Sequence, residues 1–108
     1  MPDNKRRTPF YSGGCQCGAV RFAFYVAPLR VSLCHCRMCQ RAVSGPFGIL
    51  VECANSEFAW TKGAQKVFQS SSKAERGFCS DCGSPLSYRV IYSDIIELYL
   101  CAFDEPSE

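Results

Sequence analysis

The sequence predicts a small, mainly β domain of short antiparallel sheets with little helix, held together in part by metal. Two observations carry this. Apolar residues recur with a period of two through several short runs bounded by Gly, Pro, Ser and Asp. Cysteines, nine in 108 residues, cluster at spacings of one or two residues, as metal ligands do. Hydrophobic residues at 47% and charged residues at 20% fit one globular domain. Residues 1–9 read as a flexible tail and 10–108 as that single domain.

From Gly18 the run AVRFAFYV alternates. Val20, Phe22, Phe24 and Val26 fall on one face and Arg21, Ala23 and Tyr25 on the other, as a half-buried strand requires. Pro28 closes it, and a second short strand is expected over 29–34. The period changes in CHCRMCQRAV, which predicts about one helical turn over 37–43. Ser44, Gly45 and Pro46 break the chain before PFGILVEC, an apolar core strand. SEFAWT is a further strand with Phe58 and Trp60 on one face, turning at Lys62 and Gly63. KVFQSS adds another, SSSKAE reads as a loop, and GFCSDCGSP is rich in turn residues. PLSYRVIY and DIIELYLCAF complete the set, joined at Ser93 and Asp94.

The net charge of +2 is divided between the two ends. Lys5, Arg6 and Arg7 lie in the tail, whereas Asp104, Glu105 and Glu108 crowd the other terminus. No strong nucleic-acid signal results. No apolar run approaches the ~20 residues of a membrane span, and no apolar stretch follows the basic start as in a secretory leader. The expectation is a protein of the reducing cytoplasm, and an odd number of closely spaced cysteines there points to metal rather than disulfides.

Cys15 and Cys17 form one cluster, Cys34, Cys36 and Cys39 a second, and Cys79 and Cys82 a third. CxC and CxxC loops each supply two thiolates from one turn, so Cys15, Cys17, Cys79 and Cys82 make a closed Cys₄ zinc site that is structural. Gly18 and Gly83 follow the second cysteine of each pair, where the chain must turn under the metal. A redox dithiol at Cys79 and Cys82 is the other reading of that pair, and iron is the other metal a Cys₄ set accepts.

The middle cluster offers three thiolates, which leaves a zinc coordination position open for chemistry. Cys53, Cys101 or His35 filling that position would make it a second structural site. If Cys34 and Cys36 point to one side of an extended segment, His35 points to the other. As the only histidine, His35 is also the one ready proton-transfer group near neutral pH. Arg37 and Arg41, four apart on the helical turn, are placed to meet a carboxylate. Phe47, Trp60 and Phe78 fit strand faces, and Cys53 and Cys101 read as small buried hydrophobes.

The segments GGCQCGAVRF, SLCHCRMCQRAVSGPFG and ERGFCSDCGSPLSYR, in this order and spacing, resemble the family of glutathione-dependent formaldehyde-activating enzymes, which also includes centromere protein V. The resemblance runs from about Gly13 to Asp104. It implies a zinc-bound β-tent of small antiparallel sheets and two zinc ions per chain. One is structural, at Cys15, Cys17, Cys79 and Cys82, and the other catalytic, at Cys34, Cys36 and Cys39. The activity it implies is a carbon–sulfur lyase chemistry, S-(hydroxymethyl)glutathione synthase-like, on glutathione or another thiol and formaldehyde or another small aldehyde. The rival expectation is a non-catalytic zinc-binding interaction module.

Overall fold

In the computed structural model, which describes residues 8–107, nine strands and one helix follow the chain in order. They are β1 Tyr11–Gly14, β2 Arg21–Phe24, β3 Arg30–Cys34, α1 Arg37–Val43, β4 Gly48–Ala54, β5 Phe58–Lys62, β6 Lys66–Gln69, β7 Ala74–Phe78, β8 Pro85–Val90 and β9 Ile95–Tyr99. The architecture is mainly antiparallel β with little helix, as expected. Of the tail expected over 1–9, residues 1–7 lie outside the described residues, and Thr8 and Pro9 carry no regular structure.

The strands form two antiparallel sheets, a three-stranded one in the order β1-β2-β5 and a six-stranded one in the order β3-β4-β9-β8-β7-β6. Their facing sides meet in an aromatic-rich core of Phe22, Phe24, Val51, Cys53, Ile96, Leu98 and Phe103. Phe58 and Trp60 of β5 pack against it, so both reach the core as their alternation predicts. A second, smaller core of Cys15, Val20, Cys79 and Leu86 lies at one end. Cys53 is the small buried hydrophobe that the sequence suggests.

Several elements differ from expectation, each for a physical reason. The strand expected to run to Val26 ends at Phe24, where the Tyr25 N–H leaves the ladder for the Glu57 carbonyl. Val26 is consequently exposed, and Ala23 as well as Phe22 and Phe24 is buried. β1 was not legible because YSGG is a poor strand sequence. It forms because β2 offers an edge and Gly13 bridges Phe103. A side chain at position 13 would meet the Phe22 ring and the Ala102 carbonyl.

β7 occupies a stretch expected as loop and turn. Its buried side chains include Ala74 and Arg76, and an arginine reads as solvent-facing in any hydropathy pattern. The last strand stops at Tyr99 instead of running to Phe103. A 3₁₀ turn over Leu100–Ala102 redirects the chain so that Phe103 enters the core. Cys101 sits on that turn and is exposed, not buried as its apolar setting suggests.

Candidate metal centres and the cavity beside them

The loop between β1 and β2 carries Cys15 and Cys17, and the loop between β7 and β8 carries Cys79 and Cys82. The fold brings all four sulfurs within 4.8 Å of one another. Sγ of Cys17 lies 3.6 Å from that of Cys15 and 3.8 Å from that of Cys79. Sulfurs 2.3 Å from a tetrahedral zinc stand about 3.8 Å apart, so the donor set fits such an ion without rearrangement. All four are free thiols, and the separations are far longer than the ~2.05 Å of a disulfide. The site links the three-stranded sheet to the six-stranded one across 62 positions of sequence.

The backbone turns in the same way at the two loops. The Gly18 N–H donates to the Cys15 carbonyl at 3.2 Å and the Gly83 N–H to the Cys79 carbonyl at 2.7 Å. Both glycines have left-handed φ, 81° and 79°. Nothing lies within 4 Å of a Cβ built at either position, so the requirement is conformational rather than steric. Gly83→Ala is therefore expected to lower stability by about 1–2 kcal/mol without blocking metal uptake. Chemical denaturation of the metal-loaded variant checks this; an unchanged midpoint would contradict it.

Two of these thiols show how the loops prepare them. Cys82 is held down at about 5 by the Ser84 side chain, whose Oγ is 3.1 Å away, then by the Ser84 and Cys17 N–H groups. Cys17 is pushed up to about 12. The Ala19 N–H favours its thiolate, but the neighbouring Cys15, Cys82 and Cys79 sulfurs together with burial outweigh it. Four thiolates in such contact repel one another, and a divalent cation among them is what reverses this.

The second cluster is built at the end of β3. Cys34 closes that strand, Cys36 caps α1 by accepting from the Cys39 N–H at 3.4 Å, and Cys39 points inward from the helix. Their sulfurs also fall within 4.8 Å of one another, with Cys34 and Cys36 3.4 Å apart. Among the described residues no fourth protein ligand joins them. Cys53 is in the core between the sheets, and Cys101 is on the 3₁₀ turn near Cys15. His35 is exposed, with its ring 5.2 Å from that of Phe47. The Cys36 thiol is held at about 7 by hydrogen bonding, chiefly from the Cys39 backbone N–H. Burial pushes the Cys39 thiol up to about 12, against the opposing pull of Arg76.

Arg76, from β7, is the residue that sequence reasoning missed. It is 4% exposed, donating to Cys39 Sγ at 3.4 Å and to the Tyr99 hydroxyl at 2.6 Å. Its guanidinium also lies 4.8 Å from the centre of the Tyr88 ring. The arginines singled out in sequence do not share this role. Arg37 is exposed and donates to Gln40 Oε1, and Arg41 lines an adjoining cavity on the other side of Met38, Ser70 and Arg76, without reaching the one that holds the thiols. The signal for Arg76 is only three-dimensional, since its partners lie 23 and 37 positions away.

Arg76 belongs to a row that crosses the six-stranded sheet. Arg30 is paired with Glu52, Glu52 with Glu97, Glu97 with Tyr88, and Tyr88 with Arg76. Directly paired residues share a face, so the row lies on the side opposite the aromatic core. There its Arg76, Tyr88 and Glu97 help to wall a cavity of about 220 Å³ that Cys34, Cys36 and Cys39 also line. The cavity is thus lined by three converging thiols, a buried cation that contacts one of them and a carboxyl group.

Among the described residues no helix is long and apolar enough to cross a membrane. The family described as glutathione-dependent formaldehyde-activating enzyme matches residues 10–108. A protein of Schizosaccharomyces pombe named as an uncharacterized lyase is 32% identical over 80 residues, 74% of this chain and 58% of that protein. The match therefore spans little more than half the length of that relative. A crystal structure of a Rhodobacter sphaeroides protein shares the fold at a TM-score of 0.71 and 21% identity, over 86% of this chain and 87% of the other.

Proposed function

The chain belongs to the family of glutathione-dependent formaldehyde-activating enzymes, and on that premise we propose that it is a zinc-dependent, lyase-type enzyme. Its reaction joins glutathione, or a related thiol, to formaldehyde or another small aldehyde. The observation that carries the reading is the set of three thiols converging on the wall of a cavity with no fourth protein ligand among the described residues. In this reading residues 10–108 act as one domain with two zinc ions, structural at Cys15, Cys17, Cys79 and Cys82 and catalytic at Cys34, Cys36 and Cys39.

Zinc held by three sulfurs supplies a positive centre that favours the thiolate form of an incoming thiol. The remaining chemistry falls to the chain. Arg76 holds Cys39 in place through its hydrogen bond and keeps a positive charge beside the cluster. That charge favours anionic sulfur and the oxygen that becomes negative as an aldehyde is attacked. Tyr99 and Tyr88 fix the guanidinium from two sides, so little reorganisation is needed at the moment of reaction. Ser70 and Ser71, in the β6–β7 turn, line the same cavity. The nine free cysteines agree with the reducing cytoplasm as the setting.

The test is the rate of adduct formation from glutathione and formaldehyde, followed by NMR with zinc-loaded protein. Wild-type protein is expected to accelerate it and Cys36→Ser to fall to the uncatalysed rate. Equal rates in the two proteins would reject the reading. The alternative, a non-catalytic zinc-binding interaction module, is favoured by Val31 and Leu33, which stand exposed along edge strand β3, and by Leu29, exposed just before it. It predicts equal rates together with full metal occupancy.

A further inference from the structure

We propose that Glu97 is the proton-transfer group of this site, taking the proton of the incoming thiol and returning it to the aldehyde oxygen. The inference rests on the thiol–aldehyde reading above and adds a residue to it. Glu97 sits in the middle of β9, half-buried, and lines the same cavity as Cys34, Cys36 and Cys39. Its neighbour across the β4–β9 pair, Glu52, is occupied by the Arg30 guanidinium at 2.6 Å. The Glu97 carboxyl has no hydrogen bond or ion pair among the described residues, although Arg76 lies in the same cavity wall. A half-buried carboxyl left without such a partner in a cavity that three thiols also line is costly as a structural feature, and it is placed where a substrate in that cavity can supply the partner.

The groups around it fix its behaviour. Glu52 faces it from β4 and Tyr88 from β8, with Arg30 beyond Glu52 and Arg76 beyond Tyr88. The three thiols line the cavity from β3 and α1. Burial, and then the negative Glu52, raise the Glu97 carboxyl above the usual carboxylate range, while Arg30 and Arg76 oppose them. A carboxyl raised toward neutrality serves as both base and acid.

The step balances without any redox partner. The thiol proton passes to the Glu97 carboxylate as the sulfur becomes thiolate. The carbon–sulfur bond then forms while the carbonyl π bond breaks, and the Glu97 carboxyl gives its proton to the carbonyl oxygen. The product is the hydroxymethyl thioether, and Glu97 is again a carboxylate. His35, exposed against Phe47, is not needed for this.

Glu97→Gln in the zinc-loaded protein tests the proposal, with glutathione and formaldehyde as substrates. The expected result is a fall in kcat of about 10²-fold or more with KM for glutathione, zinc content and Tm little changed. The pH limb due to the carboxyl is lost in Glu97→Gln and retained in Glu97→Asp, which keeps the carboxyl if the amide variant folds poorly. A second readout needs no turnover: in weak buffer, glutathione binding releases more protons per thiol bound from Glu97→Gln than from wild type. An active wild type with an equally active Glu97→Gln and an unaltered pH profile overturns the role of Glu97 and leaves the thiol–aldehyde reading standing. A wild type no faster than Cys36→Ser overturns both.

Discussion

Removing metal from the Cys15, Cys17, Cys79 and Cys82 site is expected to unfold the protein. The free energy of a structural zinc site is about 10–16 kcal/mol at neutral pH, as large as the ~5–15 kcal/mol that separates folded from unfolded domains. Cys15 and Cys79 are themselves members of the smaller core with Val20 and Leu86, and the Gln16 N–H to Ser84 Oγ bond also joins the two loops. Without the cation, crowded sulfurs must share protons or separate. Trp60 packs against this cluster, so its fluorescence and the far-UV circular dichroism should change together as a strong chelator is added. Cys79→Ser should behave like the chelated wild type. A chelated protein that still unfolds cooperatively at an unchanged temperature would refute the structural role and revive the redox-dithiol reading of Cys79 and Cys82. The three-thiol site makes the opposite prediction, since Cys36 is exposed and Cys34 partly so, and a metal held there should leave first, with the fold intact.

Phe22→Ala is expected to cost about 3–5 kcal/mol, the range for a fully buried phenylalanine truncated in a core that cannot collapse around the gap. Phe22 is 0% exposed. Its ring lies 5.2 Å from Phe103, 5.8 Å from Phe58, 6.1 Å from Trp60 and 6.2 Å from Phe24. Those four rings come from β2, β5 and the C-terminal segment, so the cavity would open where the two sheets meet. The edge-to-face packing with Phe103 and Trp60 adds to the loss beyond simple area. Urea denaturation of metal-loaded protein measures this, and a change below about 1 kcal/mol would mean that the metal rather than the aromatic core joins the sheets.

Much of the candidate site was legible because metal ligands obey short spacings. The four-cysteine set and the three-cysteine set could each be grouped from CxC and CxxC alone, and the fold brings each group together. Gly18 and Gly83 were legible for the same local reason, since the chain must reverse within a few residues. The helix over Arg37–Val43 and the faces of Phe22, Phe24, Phe58 and Trp60 followed from periodicity. The cavity wall was not legible. Arg76, Tyr88 and Glu97 become neighbours only through the register of β7, β8 and β9, and each looks in sequence like an outward residue of a surface strand. Arg37 and Arg41, closer to the cysteines in sequence, drew attention that belongs to Arg76.

The sequence by itself determined the mainly β class, the grouping of the thiols and the family, because these depend on local periodicity and on ligand spacing within single turns. The tertiary structure decided which cation and which carboxyl share the cavity of the three thiols, that Cys101 is exposed, and that YSGG and AERGF are strands. Those outcomes depend on strand order and register, which are set by the joint burial of two sheets and by contacts between residues tens of positions apart. No local pattern encodes them.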